Sequence, residues 1–266
     1  MGFTMKLKKA SLVGAFFVSV FYINVAGAFC PAPSGLPLAN VQRVVDGDTL
    51  RLTDGRSVRL LGINAPELAH KGRSAEPFAE QAKRRLQTLI DASDGRVLVQ
   101  VGKQAKDHYG RTLAHVYSGK GQNLEAQLLA EGLGYQVVVA PNVTLLDCQR
   151  EAERSARAAR LGVWRDAVAQ RPAQLNESGF AWVQGRVMSV EQNRGGVWLQ
   201  LDGPLVLQVA SKVLSEFDLK TLRALRGRQI EARGWVIDRA RRGQQGKDQS
   251  RWLLPLTHPS MLVVQP

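Results

Sequence analysis

The segment Asp46-Gly47-Asp48-Thr49 places two carboxylates on either side of a glycine. Side chains two residues apart lie on the same side of an extended chain, so both carboxylates and the Thr49 oxygens could face one cation. Carboxylate and carbonyl oxygens are the ligands that a hard divalent cation such as Ca²⁺ prefers. Because Asp-Gly-Asp is also an ordinary turn sequence, this motif alone does not establish a metal site.

A second polar cluster follows in the segment VRLLGINAPE, residues 58–67. Arg59 stands in an apolar strand, where a guanidinium is costly unless it reaches a functional site or an ionic partner. Pro66 fixes the chain as it leaves the strand and presents Glu67 beyond it. A purely structural ion pair between Arg59 and Glu67 is the alternative that these residues leave open.

The third cluster is the polar loop KDHYGR, residues 106–111, which ends at Arg111 just before a predicted strand. Two arginines can bind phosphate oxygens, and a carboxylate can take a proton from water. Together with a cation held by acidic residues, these groups are suited to the hydrolysis of phosphodiester bonds. The combination of the three clusters, rather than any one of them, indicates this chemistry.

These motifs resemble those of the thermonuclease (staphylococcal nuclease-like) family. The resemblance extends from about Val41 to Trp164 through VDGDT, VRLLGINAPE, DHYGR, NLEAQLLAEGLG and LGVW. It implies an OB-type five-stranded barrel with packed helices. It also implies a calcium-dependent endonuclease that acts on DNA and RNA and leaves 3′-phosphate ends, with another divalent metal as the alternative cofactor.

The resemblance implies a role for each polar residue near the scissile phosphate. Arg59 and Arg111 would bind the phosphate and stabilise the five-coordinate transition state, and Glu67 would be the general base. Tyr109 would lie near the phosphate and sugar of the substrate. Asp107 would belong to the loop that supports this pocket.

This sequence departs from the family pattern at two places, one among the metal ligands and one in the segment that stacks on a base. By resemblance, Asp48 would ligate Ca²⁺ through its side chain and Thr49 through its backbone carbonyl. Asn64 stands where many members have a second aspartate ligand, and its uncharged amide oxygen predicts weaker calcium binding. The segment YQVVVAP contains Tyr135 but not the paired tyrosines that stack on a base, so no nucleotide preference is predicted.

The elements that must hold these residues are predicted from hydrophobic periodicity and turn residues. We expect strands at Val41–Val45, Thr49–Thr53, Ser57–Leu61, Val97–Val101 and Thr112–Tyr117, and helices at Glu76–Ala92, Asn123–Glu131 and Thr144–Arg160. A Thr-x-x-Asp pattern beginning at Thr144 predicts the cap of the last helix. Within that helix, Glu153 and Arg157 are spaced for an i, i+4 ion pair. Strands that cluster before helices favour a small barrel over a βαβ array.

Residues 165–179 are polar and contain proline, and they predict a linker between a nuclease-like domain at 29–164 and a second domain at 180–266. In the second domain we expect strands and one helix in the following order: Phe180–Val190, Gly196–Leu201, Leu205–Val209, helix Lys212–Leu225, Gln229–Ile237 and Arg251–Leu256. This order is that of a second, smaller OB-like barrel, so the fold class is mainly β, or α+β. A different small barrel, or a cap that only stabilises the first domain, is the alternative.

The chain has 266 residues, with 36 Lys and Arg against 23 Asp and Glu. Its composition is globular and excludes collagen-like, disordered and multi-span membrane proteins. The basic excess favours DNA or RNA as the partner. Because the second domain is the more basic per residue, the candidate nucleic-acid contacts are its loop residues Arg239, Arg241, Arg242 and Lys247. That domain has no second set of catalytic motifs and is expected to be non-catalytic.

The second domain also contains four tryptophans: Trp182, Trp198, Trp235 and Trp252. Tryptophans at alternating strand positions are usually core residues. Stacking on bases beside the basic loop is the alternative role.

Residues 1–28 have the pattern of a secretory signal peptide, with a basic start, an apolar run from Ser11 to Val25 and small residues ending at Ala28. The apolar run is shorter than the roughly 20 residues of a membrane span, so cleavage after Ala28 is favoured over a retained anchor. We therefore expect a periplasmic or secreted protein without a stable membrane anchor. In that oxidising compartment Cys30 and Cys148 can form a disulfide, and two separate thiols are the alternative.

Three functions are consistent with this sequence. The first is an exported, metal-dependent endonuclease in which Glu67 activates water. The second is a nucleic-acid-binding protein whose metal site has been weakened by Asn64. The third is a cell-envelope protein that holds anionic glycans or lipids on its basic barrel. The joint presence of Arg59, Glu67 and Arg111 favours the first, and no protein partner is indicated.

Overall fold

The computed structural model describes Gly2 and residues 30–70, 72–243, 245–246 and 249–265. The predicted signal peptide, apart from Gly2, and the candidate contact Lys247 lie outside the described residues.

In chain order, the first half contains β1 (Leu38–Val44), β2 (Thr49–Leu52), β3 (Ser57–Leu60), β4 (Ile63–Asn64), α1 (Ala79–Asp91), β5 (Arg96–Lys106), β6 (Thr112–Ser118), α2 (Leu124–Ala130), β7 (Tyr135–Gln136) and α3 (Leu146–Ala158).

The first barrel is closed, with the strand order β1-β2-β3-β6-β5. Strands β3 and β6 pair in parallel, and the other pairs in the barrel are antiparallel. Side chains that alternate along β2 and β3 point inward, so Leu50, Leu52, Val58 and Leu60 are buried. Helix α1 covers the barrel with a stripe of buried residues that includes Leu86 and Ile90.

The second half contains β8 (Gly179–Asn193), β9 (Gly196–Leu201), β10 (Leu205–Ala210), α4 (Leu219–Ala224), β11 (Gln229–Asp238), β12 (Trp252–Leu256) and β13 (Leu262–Val264). Strand β12 pairs in parallel with β10 and antiparallel with β11, which closes a ring of five strands, and β13 adds to β11. Each barrel thus has three strands, a helix and two further strands, with its third and fifth strands parallel. The predicted fold class, mainly β with two OB-type barrels, is confirmed.

Two predicted helix features are wrong. The single helix predicted at Lys212–Leu225 is instead a 3₁₀ segment at Ser211–Glu216 followed by α4. Asp218 separates them, because its side chain accepts hydrogen bonds from the first amides of α4 and starts a new helix. Helix α3 begins after Leu145 without a side-chain cap, so the cap predicted from Thr144 does not form.

The two barrels are joined by ion pairs that sequence spacing does not predict. Glu153 of α3 lies 2.7 Å from the guanidinium of Arg233 on β11. Arg157, one turn further along α3, lies 3.3 Å from Glu231, which also accepts a hydrogen bond from the Trp182 indole. The predicted i, i+4 pair between Glu153 and Arg157 is therefore wrong, because each side chain has an ionic partner on the second barrel.

The segment that connects the barrels and the N-terminal segment are both fixed to the body. In the connection predicted as a linker, Ala169 and Leu175 are buried, and Gln170 exchanges backbone hydrogen bonds with β8. Cys30 and Cys148 form a disulfide that ties the N-terminal segment to α3 across 118 residues of sequence. Among the described residues, no helix is long and apolar enough to cross a bilayer.

Substitution of Arg233 by alanine is expected to lower the free energy of unfolding by about 3–5 kcal/mol, because it leaves a buried carboxylate without its cation. The Glu153 side chain is only 4% exposed, so water cannot replace the lost guanidinium. Chemical denaturation of the full chain measures this change.

The matched control is Arg154→Ala, which removes another arginine–glutamate pair from the same helix. Arg154 is 74% exposed and pairs with Glu151 at the surface, so its removal should change stability by less than about 1 kcal/mol. Equal effects of the two substitutions would contradict a structural role for the pair between the barrels.

Candidate active site

The Asp46–Thr49 segment forms the tight connection between β1 and β2. The Asp48 amide donates to Asp46 Oδ1 at 3.0 Å, which holds the two carboxylates on one turn. A side chain at Gly47 would place its Cβ 2.6 Å from Cβ of Ala65 and 2.7 Å from Cβ of Ala82. The glycine is therefore required because the turn packs directly against α1 and the segment after β4.

The Asp48 carboxylate is buried and accepts hydrogen bonds from several elements. Its Oδ2 lies 2.8 Å from the Ala65 amide and 2.8 Å from Nη1 of Arg59, and its Oδ1 accepts from the Thr49 hydroxyl at 3.2 Å. Burial raises the pKa of Asp48 to about 7; Arg59 opposes this rise, whereas the charges of Asp46 and Glu67 add to it.

Arg59 projects from β3 to the end of β4. Besides the contact with Asp48, its guanidinium donates to the carbonyl of Ile63 at 3.0 Å and to Oδ1 of Asn64 at 3.2 Å. The ionic partner of Arg59 is thus Asp48. The structural ion pair between Arg59 and Glu67 that the sequence left open does not form. This arrangement brings the predicted phosphate-binding arginine next to the predicted metal ligands.

Glu67 follows Pro66 at the end of β4 and is held by a residue that the motifs did not predict. The Glu67 amide donates to Oε2 of Glu76 at 2.9 Å, and the Glu76 amide donates to the Glu67 carbonyl at 2.9 Å. Partial burial raises the pKa of Glu67, with Asp46 adding to the effect and Arg59 opposing it. No sequence signal indicated Glu76, because the nine-residue interval between the two acids corresponds to no motif.

Asp107 organises the loop before β6. Its carboxylate accepts the amides of Tyr109 and Arg111 at 2.9 Å each, and it accepts Nε of Arg111 at 2.7 Å. Burial raises the pKa of Asp107, but the hydrogen bonds from Arg111 and Tyr109 outweigh burial and hold it below the usual value. Arg111 also lies 5.5 Å from the centre of the exposed Tyr109 ring.

The three clusters belong to one electrostatic environment. The charge of Asp46 affects the pKa of both Asp48 and Glu67, and the charges of Arg59 and Arg111 both act on Glu67. The predicted residues of the first barrel are thus brought together at one end of β1–β4 and the loop before β6.

The candidate nucleic-acid contacts of the second barrel lie in the loop between β11 and β12. Arg239 is buried, bonds to Gln249 within the loop and lies 6.0 Å from the Trp198 ring centre. Arg241 and Arg242 are exposed. Only these last two of the described candidates are accessible to a partner.

The oxygen atoms near Asp48 are of the chemical type that a hard divalent cation prefers, and several of them accept hydrogen bonds from Arg59 or from the backbone. Asp46 and Asp48 supply carboxylates, Asn64 an amide oxygen and Thr49 a carbonyl, a donor set typical of calcium sites. Burial is the main cause of the raised pKa of Asp48, and the neighbouring charges of Asp46 and Glu67 add to it, so a bound cation would favour the ionised carboxylate. Within the described part of the chain, no cluster of three or more histidine, cysteine or acidic side chains is arranged to hold a metal.

Comparison with known proteins identifies the family. Residues 57–166 match the model of the family described as Staphylococcal nuclease homologue. A thermonuclease of Staphylococcus hyicus is 31% identical over 159 residues, which cover 55% of this chain and 89% of that protein. The chain belongs to the staphylococcal nuclease family. A micrococcal nuclease of Shigella flexneri is 36% identical over 144 residues, covering 50% of this chain and 76% of that protein.

Membership of the staphylococcal nuclease family confirms the resemblance drawn from the motifs. The match extends from the start of β3 to just beyond the 3₁₀ turn at Gly162–Trp164. It therefore includes the strand that carries Arg59, the segment of Asn64 and Glu67 and the loop of Arg111. The second barrel lies beyond it.

The unfolding free energy of the metal-free protein should contain a pH-dependent contribution from Asp48. The folded protein holds the Asp48 proton up to a pKa of about 7, whereas the ordinary value is 3.8. The protonated Asp48 therefore adds stability that is fully present when the pH is below the ordinary pKa and is lost as the pH rises through about 7. Chemical denaturation in the presence of chelator measures this effect. As the pH rises from about 5 to about 8, the free energy of unfolding of Asp48→Asn should increase relative to that of the wild type.

The control for this pH dependence is Asp54→Asn. Asp54 is exposed, and hydrogen bonds from Arg56 lower its pKa, so it stays ionised throughout this interval. Its stability difference from wild type should not vary with pH. A pH-independent difference for Asp48→Asn would contradict the raised pKa.

Proposed function

We propose that this protein is an exported, metal-dependent endonuclease that hydrolyses phosphodiester bonds of DNA, RNA or both. As a member of the staphylococcal nuclease family, the chain is a nuclease. One observation carries the finer proposal. The Glu67 carboxylate lies within electrostatic range of both Arg59 and Arg111 and of the acidic pair Asp46 and Asp48.

Glu67 is the general base of the proposed reaction. It takes a proton from water, the water oxygen forms a bond to phosphorus, and the bond from phosphorus to the 5′ oxygen breaks; that oxygen takes a proton from solvent and leaves as a hydroxyl group. Its raised pKa suits this role, because a base is most effective when its pKa approaches the working pH. By the family resemblance, the phosphate remains on the 3′ end of the product.

Arg59 and Arg111 bind the non-bridging oxygens of the phosphate and stabilise the negative charge that grows on them in the transition state. Their side chains are held in place by carboxylates, Asp48 for Arg59 and Asp107 for Arg111. Each guanidinium is therefore positioned before the substrate arrives. Tyr109, exposed beside Arg111, is available to the phosphate or the sugar of the substrate.

Asp48, Asn64 and the Thr49 carbonyl would hold the metal, which we propose to be Ca²⁺, and Asp46 would contribute to the charge of the site. A bound divalent cation supplies positive charge next to the phosphate. Asn64 is also the observation that favours the second candidate function, a binding protein with a weakened metal site. Its Oδ1 is uncharged and already accepts a hydrogen bond from Arg59.

Glu67→Gln is expected to lower kcat by about 10²- to 10⁴-fold, because the amide cannot accept the proton from water. Cleavage of plasmid DNA and of total RNA by the purified protein, with Ca²⁺ and then with chelator, measures the effect. We expect chelator to abolish cleavage by the wild-type protein.

The control is Glu80→Gln, which neutralises an exposed glutamate on α1 and should leave the rate unchanged. If Glu67→Gln cleaves as fast as Glu80→Gln, Glu67 is not the base. Binding of nucleic acid without cleavage at several divalent metals and pH values would instead support the binding protein.

The export of this nuclease is part of the proposal. It is supported by the signal-like pattern of residues 1–28 and by the disulfide of Cys30, the second residue after the expected cleavage site. Expression of the full chain in a bacterium with an outer membrane should yield protein in the periplasm or medium. Its N-terminal sequence is expected to begin at Phe29. An uncleaved N-terminus at Met1 would contradict this proposal.

A further inference from the structure

A cleft of about 1040 Å³ lies between the two barrels and begins at the candidate active site. Asn64 and Glu67 line one end of it. Tyr135 from the first barrel and Phe180 and Trp235 from the second line its walls. The cleft therefore joins the predicted catalytic residues to a surface that the family match does not include.

The three aromatic rings form a row along this cleft. Tyr135 pairs directly with Asn64 across the β4–β7 ribbon, so the row starts beside a predicted metal ligand. The ring centres of Tyr135 and Phe180 are 5.3 Å apart, and those of Phe180 and Trp235 are 5.7 Å apart. Phe180 and Trp235 are paired residues on the adjacent strands β8 and β11, which fixes their spacing.

Trp235 differs from the other tryptophans that line or surround this part of the second barrel. Trp252 is buried, and Trp182 donates a hydrogen bond to Glu231 in the contact between the barrels. Trp235 is 40% exposed, although a ring of its size would gain more free energy by burial. Trp235 adjoins Phe180 on the neighbouring strand, and both line the cleft, so they form a contiguous apolar surface of the kind that lines ligand-binding grooves.

The charges of the cleft indicate which part of a nucleic acid it receives. Its acidic lining residues are Glu67, Glu76 and Glu177, and its arginine, Arg73, pairs with Glu177 at 3.2 Å. Such a lining does not attract phosphates. Phe180 and Trp235 pack edge to face on each other, and their remaining ring surface lines the cleft, where an unpaired base can stack.

We propose that the second barrel extends the substrate-binding cleft of the nuclease, with Phe180 and Trp235 stacking on bases of the strand that continues from the scissile phosphate. This inference rests on the proposed function, since the strand is located by the phosphate that Arg59 and Arg111 bind. Tyr135 is the first ring of the row, and the second barrel supplies the two rings that follow. The second barrel thus adds affinity for unpaired strands to the nuclease.

The test measures binding of a fluorescein-labelled single strand of about ten thymidines to the full chain in chelator, by fluorescence anisotropy. Trp235→Ala and Trp235→Leu are expected to weaken binding by about 5- to 100-fold, the range for loss of one base–aromatic stack. Trp235→Phe keeps a ring and should retain most of the affinity. Leucine keeps apolar volume without a ring, so the Leu and Phe variants together separate stacking from packing.

Met188→Ala is the matched control, because Met188 is a 53% exposed apolar residue of the same barrel that does not line the cleft. It should bind the strand as the wild type does. Thermal unfolding of each variant establishes that the barrel is intact. If Trp235→Ala and Trp235→Leu bind as tightly as Met188→Ala, the inference is overturned.

The salt dependence of binding provides a second readout. A stacking residue carries no charge, so Trp235→Leu should weaken binding equally at every salt concentration and leave the slope of log affinity against log salt unchanged. A changed slope would mean that the substitution disturbs phosphate contacts elsewhere, and it would overturn the stacking role.

Cleavage assays on the same samples separate this inference from the proposed function. Wild-type protein that binds the strand through Trp235 but cleaves nothing would overturn the nuclease mechanism and leave the binding cleft supported. The opposite result is cleavage by the wild-type protein together with a Trp235→Ala variant whose KM and affinity equal those of the wild type. It would leave the nuclease mechanism supported and overturn the role of the second barrel.

Discussion

The burial of the Asp48 carboxylate is the constraint on which the site depends. A buried charge is stable only where donors surround it, and here those donors come from different parts of the chain. Arg59 reaches it from β3, the Ala65 amide from the segment after β4, and the Thr49 hydroxyl from the start of β2. Satisfying this one carboxylate therefore fixes the relative positions of the strand ends from which Asn64 and Glu67 project.

A second set of ion pairs, built on the buried carboxylates of Glu153 and Glu231, joins the two barrels. Glu153 and Arg157 extend from one face of α3 and have their ionic partners, Arg233 and Glu231, on β11. Trp182 adds a hydrogen bond to the same cluster. Because an unpartnered buried charge is costly, these contacts restrict how the barrels can meet. The cleft beside the candidate catalytic residues is a consequence of that arrangement.

The two surfaces of the second barrel have different chemical character. Its long loop presents the exposed arginines Arg241 and Arg242, which suit the phosphates of a polyanion at long range. Phe180 and Trp235 instead line a cleft whose charges are mainly acidic. The exposed arginines do not line this cleft, whereas the two rings share it with Asn64 and Glu67 of the candidate active site.

The sequence by itself determined the family, the two barrels and most strand positions, because alternating burial, turn residues and the three polar clusters are local patterns. Residues within one cluster, such as Asp46 and Asp48, could be assigned to a common site for the same reason. The tertiary structure alone decided that Arg59 pairs with Asp48, that Glu76 holds Glu67 and that Glu153 pairs with Arg233. It also decided that Phe180 and Trp235 border the cleft. In each of these contacts the two residues belong to different elements of the fold. Spacing along the sequence does not predict which elements pack together, so the packing of whole elements selects each partner.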